Sequence, residues 1–377
     1  MTIDNVENTN IIKNKFWYKV ARTIIKAGVF PVPISDKLIE LLQTLITEEQ
    51  AKFILIFKKP SMTLEEIKKK TDIKEQVIIE TLNILMHNGI IVGTRSRTTE
   101  VMVYRLMGLY PGIFEYTFLR GEYSERDKKI AALFQKLFGE VTKQTQKNYD
   151  NLINVFKDLP PTDRTLPVEK EVDVGTENVM PFEEIKKYIE EYDDIALAHC
   201  YCRHAKELVN DPCKLGASKE NCFLIDKSAR FAIEQGFGRP VSKEEAIKIL
   251  REAESEGLVH KVFHVHSDTS RGIEAICNCC KCCCGIINAY YRGSTPIHTM
   301  SSYLARVDED SCSGCATCIN MCPMETIKLL DTIAFINEDK CIGCGVCAYH
   351  CPEEAIHLVR IGPRHIFIPP KKIEIEK

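Results

Sequence analysis

The chain has 377 residues, 45% of them apolar and 27% charged, with a formal net charge of −3. That length supports two or three domains with cores of their own. A balance so close to neutral excludes any global pull toward nucleic acid or an anionic membrane surface.

Residues 11–58 read as helical, because WYKVARTII and SDKLIELLQTLI place apolar residues at i, i+3, i+4 spacing. Ser35 or Asp36 suits the cap of the second run. Thr63 precedes LEEIKKKT, with Glu66 placed to complete a capping box. KEQVIIETLNILMHN follows as an amphipathic helix that Gly89 stops. IIVGT and EVMVYRL then read as two strands around the polar turn RSRTT. This helix, turn, helix, hairpin order resembles a winged helix-turn-helix. DNA binding and a docking role are the two readings of such a module. A DNA reader presents basic and amide groups on its second helix, whereas this helix offers Glu75 and Glu80 among Lys74, Gln76, Asn83 and His87. The basic residues lie elsewhere, at Lys68–Lys70 and in the wing at Arg95 and Arg97. The docking reading is favoured and nucleic acid is not expected.

After a Pro-Gly turn, DKKIAALFQKLFGEV is a further amphipathic helix, and LPPTDRTLPVEKEVDVG is an extended boundary segment. PFEEIKKYIEEY starts a helix at Pro181. SKEEAIKILREAESEG is another, capped by Ser242 and stopped at Gly257.

Cysteine is the outlier. There are 18, none before Cys200. A disulfide framework suits small secreted domains. Here the start, MTIDNVENTNIIKNKFWYKV, lacks an apolar h-region and a cleavage site. No apolar run is long enough to span a bilayer. The expectation is a cytoplasmic protein whose reduced thiols hold metal. The first group is Cys200, Cys202, Cys213 and Cys222. The second, ICNCCKCCCG, packs Cys277, Cys279, Cys280, Cys282, Cys283 and Cys284 into eight positions. Thiolates so dense repel unless a metal sits among them. Cys277, Cys280 and Cys283 share the C-x2-C-x2-C spacing that wraps a cubane. These ten thiols suffice for two ordinary cubanes with two to spare, or for one cubane on the first group and something larger on the second. His199, His204, His264 and His266 are nearby, and an ordinary surface or core role is the simpler reading of each.

Residues 308–329 and 337–358 repeat each other without a gap, which marks an internal duplication. Each copy carries C-x2-C-x2-C-x3-C-P: Cys312, Cys315, Cys318 and Cys322 before Pro323, then Cys341, Cys344, Cys347 and Cys351 before Pro352. Three cysteines in a tight loop wrap one face of a cubane, and Gly314, Gly343 and Gly345 ease that loop. A zinc ribbon lacks the third cysteine and the proline. The segment resembles the bacterial-type two-cluster ferredoxins. In that arrangement the fourth cysteine of each run ligates the other cluster. One [4Fe–4S] cluster is therefore assigned to Cys312, Cys315, Cys318 and Cys351, and the second to Cys341, Cys344, Cys347 and Cys322. The resemblance also implies a βαββαβ fold and low-potential electron transfer. Residues 308–356 carry nine acids against Lys328 and Lys340, a surface that steers toward a basic redox partner.

The winged-helix-like front, C-x-C-R at Cys200–Arg203, GLVH at Gly257–His260, CNCC-x-CCC at Cys277–Cys284 and the two-cluster ferredoxin together resemble multidomain 4Fe–4S binding proteins of anaerobes. The fold expected is α+β and multidomain: N-terminal helices (1–60), a winged-helix-like domain (61–120), a helix and Pro-rich linker (121–180), a mainly helical Cys-rich domain (181–300) and a ferredoxin domain with a basic tail (301–377). No P-loop, G-x-G-x-x-G turn or HExxH helix is present. The expected function is electron transfer between a protein redox partner, such as a larger oxidoreductase complex, and one or more additional iron–sulfur clusters in the middle domain. Oligomeric state is left open. The alternatives are an oxidoreductase that uses an unusual middle cluster and a redox-sensing regulator.

Overall fold

In the computed structural model of the chain, residues 3–28, 30, 32–96, 99–161, 163–171, 184–264 and 272–373 are described. Two compact units emerge. One comprises residues 1–141 with 208–210 and 234–237, and the other the remainder.

The first unit starts with α1 (Ile3–Ala27), α2 (Asp36–Leu45) and α3 (Glu48–Ile54). Ser35 caps α2 by accepting the Leu38 N–H, and Thr47 closes a capping box with Gln50 on α3. Strand β1 (Ser61–Thr63) leads into α4 (Leu64–Lys68), then α5 (Glu75–His87) and the hairpin β2 (Ile91–Arg95) and β3 (Met102–Leu106). Thr63 and Glu66 form the expected box, with Glu66 Oε2 accepting the Thr63 N–H at 2.9 Å. Gly89 ends α5 at φ +68°, where a Cβ would stand 2.3 Å from Tyr116 Cβ. The three strands form one sheet in the order β1-β3-β2. The wing residue Arg97 lies outside the described residues. Helices α6 (Ile113–Phe118) and α7 (Glu125–Lys147) follow. Phe114, Phe118, Phe134 and Phe138 pack edge to face between them, with ring centroids 5.0 to 6.0 Å apart.

The second unit contains α8 (Tyr149–Asp158), β4 (Asp163–Leu166), α9 (Ile185–Glu191), β5 (Ile195–His199), α10 (Tyr201–Leu208), β6 (Glu220–Ile225), α11 (Lys227–Glu234), β7 (Arg239–Pro240), α12 (Lys243–Ser255), β8 (Val259–His264) and β9 (Ile273–Cys279). Then come α13 (Gly285–Tyr291), β10 (Ile297–Val307), α14 (Thr317–Met321), β11 (Ile327–Leu330), β12 (Ile333–Ile336), α15 (Val346–Tyr349) and β13 (Ile356–Ile368). Pro181, expected to open α9, lies outside the described residues.

Eight strands form one sheet in the order β13-β10-β4-β8-β9-β6-β5-β7, antiparallel throughout except where β4 meets β10. The expectation of a mainly helical middle segment is thus corrected: β5 to β9 give it a sheet, with helices packed on it. In β6, β8 and β9 the alternation runs through Cys, His and Asn, which read in the sequence as ligands rather than as strand positions. Side chains alternate between the faces of a strand. Leu197, Phe223, Val262 and Ile276 point to one face and form a core with Ile185, Ile189 and Leu250 of α9 and α12. The opposite face carries Cys222, Lys261 and Cys277, aligned by the registers Lys261↔Cys277 and Phe223↔Ile276.

β10, α14, β11, β12, α15 and β13 follow in βαββαβ order, with β10 paired to β13 and β11 to β12. The outer end of the β10/β13 ribbon carries this module. Its inner end joins the large sheet through Thr299↔Asp163, so residue 300 falls inside a continuous strand.

Candidate metal centres

The structure brings the eight C-terminal cysteines together as two sets of four. Cys322, Cys341, Cys344 and Cys347 line one cavity of about 330 Å³. Cys312, Cys315, Cys318 and Cys351 line another of about 320 Å³. Both volumes include space open to solvent. Left-handed residues pinch the loops that carry them: Gly314 and Ala316 in the first repeat, Gly343 and Gly345 in the second. A Cβ on Gly343 would lie 2.2 Å from the Tyr303 carbonyl oxygen, and one on Gly314 2.2 Å from that of Thr332. Only glycine fits where loop and strand backbones approach so closely.

The two sets differ in exposure. Cys315 is exposed and Cys312 and Cys351 half-buried, whereas Cys322, Cys341, Cys344 and Cys347 are all buried. Burial pushes the Cys344 thiol up to about 12 and the Cys347 thiol well above its ordinary value. Such thiols stay protonated unless a metal replaces the proton. The Val168 N–H donates to the Cys344 carbonyl at 3.1 Å and closes the loop from the β4 side. Four thiols around each cavity, apolar walls from Met324, Ile327, Ile336 and Ile342 in one and from Leu329, Ala334, Ala355 and Ile356 in the other, and the close-approach glycines fit a four-iron cubane in each.

The ten middle cysteines separate into a six and a four. Cys222 on β6 faces Cys277 on β9, and Cys279 shares their face. Cys200 and Cys202 arrive from the start of α10, and Cys284 from the start of α13, whose Gly285 N–H donates to Cys202 Sγ at 3.2 Å. The ionised forms of these thiols oppose one another. Burial, then Cys200, Cys284 and Cys277, holds the Cys202 thiol well above its ordinary value. Cys222 and burial do the same to Cys277. A hydrogen bond from Cys279 holds Cys284 down to about 7. Cys213, Cys280, Cys282 and Cys283 form the other set, their sulfurs all within 4.8 Å of one another. The grouping of Cys200, Cys202, Cys213 and Cys222 expected from spacing is not the one seen, because Cys213 stands with Cys280, Cys282 and Cys283.

Two buried cations serve these thiols, and spacing pointed to neither as a partner. Arg203 donates to the Asn278 carbonyl at 3.2 Å and to Asn221 Oδ1. Burial opposes its charge, but Cys200, Cys280 and Cys213 outweigh that and raise its pKa, so the guanidinium lies in the field of thiols from both sets. Lys261, wholly enclosed, binds Asp163 at 2.6 Å. Burial would lower its pKa, but Asp163, Cys279 and Cys284 hold it above the ordinary value. On the other sheet face, His260 Nδ1 lies 2.6 Å from Asn278 Oδ1, and its Nε2 lies 3.1 Å from Glu254 Oε1. This chain fixes the backbone between Cys277 and Cys279.

The histidines read as ordinary residues have ordinary neighbours. His199 stands 3.9 Å from Glu220, and His264 packs against Tyr188. His199 and His204 have ring centroids 6.2 Å apart. His266 lies outside the described residues. The basic C-terminal residues are partly tied down: Arg364 binds the carbonyls of Cys341 and Glu338, and Lys372 pairs with Asp150.

A family model described as a 4Fe-4S dicluster domain matches residues 304–352. Residues 304–352 are therefore an iron–sulfur, ferredoxin-like domain. No curated protein and no solved structure matches the chain. Among the described residues, no helix is long and apolar enough to cross a membrane.

Proposed function

We propose that this chain is an iron–sulfur electron-transfer protein in which the C-terminal domain links a docking surface to metal centres in the middle segment. The observation that carries the reading is the graded burial of two four-cysteine cavities in a segment matching a dicluster domain. When bound, [4Fe–4S] clusters supply one-electron chemistry at low potential. Cys312, Cys315, Cys318 and Cys351 hold the outer cluster, and Cys341, Cys344, Cys347 and Cys322 the inner one. Cys200, Cys202, Cys222, Cys277, Cys279 and Cys284 supply the ligands of a further cluster.

The chain's own residues give this arrangement an outside and an inside. Cys315 is exposed beside Glu353 and Leu329, with Asp308, Glu309 and Asp310 on the surface of the same repeat. A basic redox protein fits that rim. At the inner end, Lys281 pairs with Glu325, and the Tyr291 hydroxyl donates to the Pro323 carbonyl at 2.8 Å. The first contact joins the stretch after Cys322 to the dense cysteine segment and the second joins it to the end of α13, and together they fix the spacing across which an electron passes. A cytoplasmic location suits eighteen free thiols.

The first unit supports a docking module better than a DNA reader. The helix, strand, helix, helix, hairpin order over residues 48–106 is winged-helix-like. Its third helix, α5, exposes Val77 (45%) and Ile84 (50%) beside Glu75 and Glu80. Apolar and acidic groups suit a protein surface, not phosphates.

The test is stoichiometric reduction of anaerobically purified protein by dithionite, followed by EPR. Signals from at least two coupled reduced [4Fe–4S] clusters are expected. Clusters that accept no electron would overturn the reading.

A further inference from the structure

Four of the middle thiols stand too close together for a cubane. Cys213 Sγ lies 3.8 Å from Cys280 Sγ and 3.7 Å from Cys282 Sγ, and Cys282 Sγ lies 3.6 Å from both Cys280 and Cys283. A tetrahedron with metal–sulfur bonds of ~2.3 Å has edges of about 3.8 Å. Thiolates on a cubane each bind a different iron, with the cube between them, and must stand well apart. The same chain supplies the contrast. Among the described residues, Cys213, Cys280, Cys282 and Cys283 form the one group of at least three His, Cys, Asp or Glu ligand atoms that lie mutually within 4.8 Å. The eight ferredoxin cysteines surround open cavities instead.

We propose that Cys213, Cys280, Cys282 and Cys283 bind a single tetrahedral metal ion, zinc or iron, separate from every iron–sulfur cluster of the protein. The local chemistry is that of a mononuclear tetrathiolate. Backbone N–H groups of Leu215 and Ala217 donate to Cys213 Sγ, and that of Lys214 to Cys282 Sγ. Such donors spread the charge of a sulfur-rich site. Ala217, Ala253 and Leu258 pack against the set and keep one side dry. Arg203 hydrogen-bonds to Cys280 and offsets part of the negative charge.

The site has a structural consequence. Cys213 sits in the irregular loop between α10 and β6, whereas the other three lie in the turn between β9 and α13. One ion ties the two together across 67 residues of sequence. The turn also carries Lys281, whose partner Glu325 follows Cys322. The ion therefore fixes the surface that the middle segment presents to the inner ferredoxin site.

The experiment uses the full-length chain, purified anaerobically, beside a Cys213→Ser/Cys282→Ser variant. Zinc, iron and acid-labile sulfide are counted per chain. The expected result is loss of one metal ion per chain with sulfide unchanged and the ferredoxin EPR signals retained. Loss of one zinc assigns zinc, and loss of one iron assigns iron, each supporting the site. Loss of several irons together with sulfide, or no loss of metal at all, overturns it. Should the variant fail to fold, the unaltered protein decides. Zinc-edge X-ray absorption should show four sulfur neighbours and no nearby iron, or Mössbauer spectra should show an isolated iron tetrathiolate. Absence of both species overturns the proposal. The retained ferredoxin signals keep this outcome distinct from failure of the electron-transfer reading.

Discussion

Lys261 and Asp163 form an ion pair at 2.6 Å with both side chains shut away from solvent. They are 98 residues apart in sequence and meet because β4 pairs with β8. Thr299 also donates to Asp163, so the carboxylate is held from two strands. Lys261 faces Cys279 and Cys284 as well, so its ammonium is shared by the carboxylate and the thiol face. Replacing one partner strands the other charge in a dry interior, a loss of about 3–5 kcal/mol. Lys261→Met should therefore lower the thermal unfolding midpoint sharply. Lys261→Met/Asp163→Leu should recover much of the loss, because no lone charge remains. Circular dichroism on the anaerobic protein measures both. Equal loss in the single and double variants would show that the pair itself stabilises the sheet.

Local signals made the C-terminal domain legible. Two runs of C-x2-C-x2-C-x3-C-P specify tight loops whose geometry depends on neighbours a few residues away, and the glycines expected to ease them sit at positive φ. Helix starts were legible for the same reason: Ser35, Thr63 and Ser242 each accept the predicted backbone N–H. The middle segment was not legible, because its site is made by register. Cys222 meets Cys277 only once β6 lies beside β9, and Cys213 meets Cys280 only through a loop 67 residues away. Spacing rules see cysteines that are close in sequence, so they grouped Cys213 with Cys200 and kept the dense run together. The sheet divides that run instead: Cys277 and Cys279 share a strand face, while Cys280, Cys282 and Cys283 turn away beyond the strand end.

Gly343 and Gly362 provide a matched pair of substitutions. Both have left-handed backbone, at φ +66° and +90°, so alanine costs each about 1–2 kcal/mol. Around Gly362 nothing lies within 4 Å of the added Cβ, whereas at Gly343 it meets the Tyr303 carbonyl oxygen at 2.2 Å. Backbone cannot swing aside as a side chain can. Gly343→Ala should displace the loop between Cys341 and Cys344 and cut iron by about four atoms per chain. Gly362→Ala should keep full iron content with only a small loss of thermal stability. Iron analysis after identical anaerobic purification separates the two.

The acidic rim makes a kinetic prediction. Glu309 and Asp310 are exposed beside the outer cysteine set, whereas Asp308 is engaged in a turn with Ser311 and the Asp310 N–H. Glu309→Lys/Asp310→Lys reverses the local field without breaking the Asp308–Ser311 bond. Stopped-flow oxidation of the reduced protein by a cytochrome c of basic pI reads the encounter rate. At low ionic strength the variant should be slower by about tenfold, since steering changes association rates over that range and beyond. At an ionic strength near ~1 M the Debye length falls to about 3 Å and the difference should vanish. A rate difference that persists at high salt would place the effect in the centres rather than at the docking surface.

Cross-ligation between the repeats can be tested by counting. Cys351 lines the same cavity as Cys312, Cys315 and Cys318, although it belongs to the second repeat, and Cys322 lines the cavity of Cys341, Cys344 and Cys347. If those cavities define the clusters, Cys351→Ser and Cys318→Ser damage the same one. The double variant Cys351→Ser/Cys318→Ser should then lose about four iron atoms per chain, no more than the more damaging single change. Cys351→Ser/Cys347→Ser combines ligands of different cavities and should lose about eight. Repeat-wise ligation predicts the reverse, because Cys351 and Cys347 would then share a cluster while Cys351 and Cys318 would not. EPR of the two reduced double variants adds a second readout: the first should show one surviving, magnetically isolated cluster, and the second none from this domain.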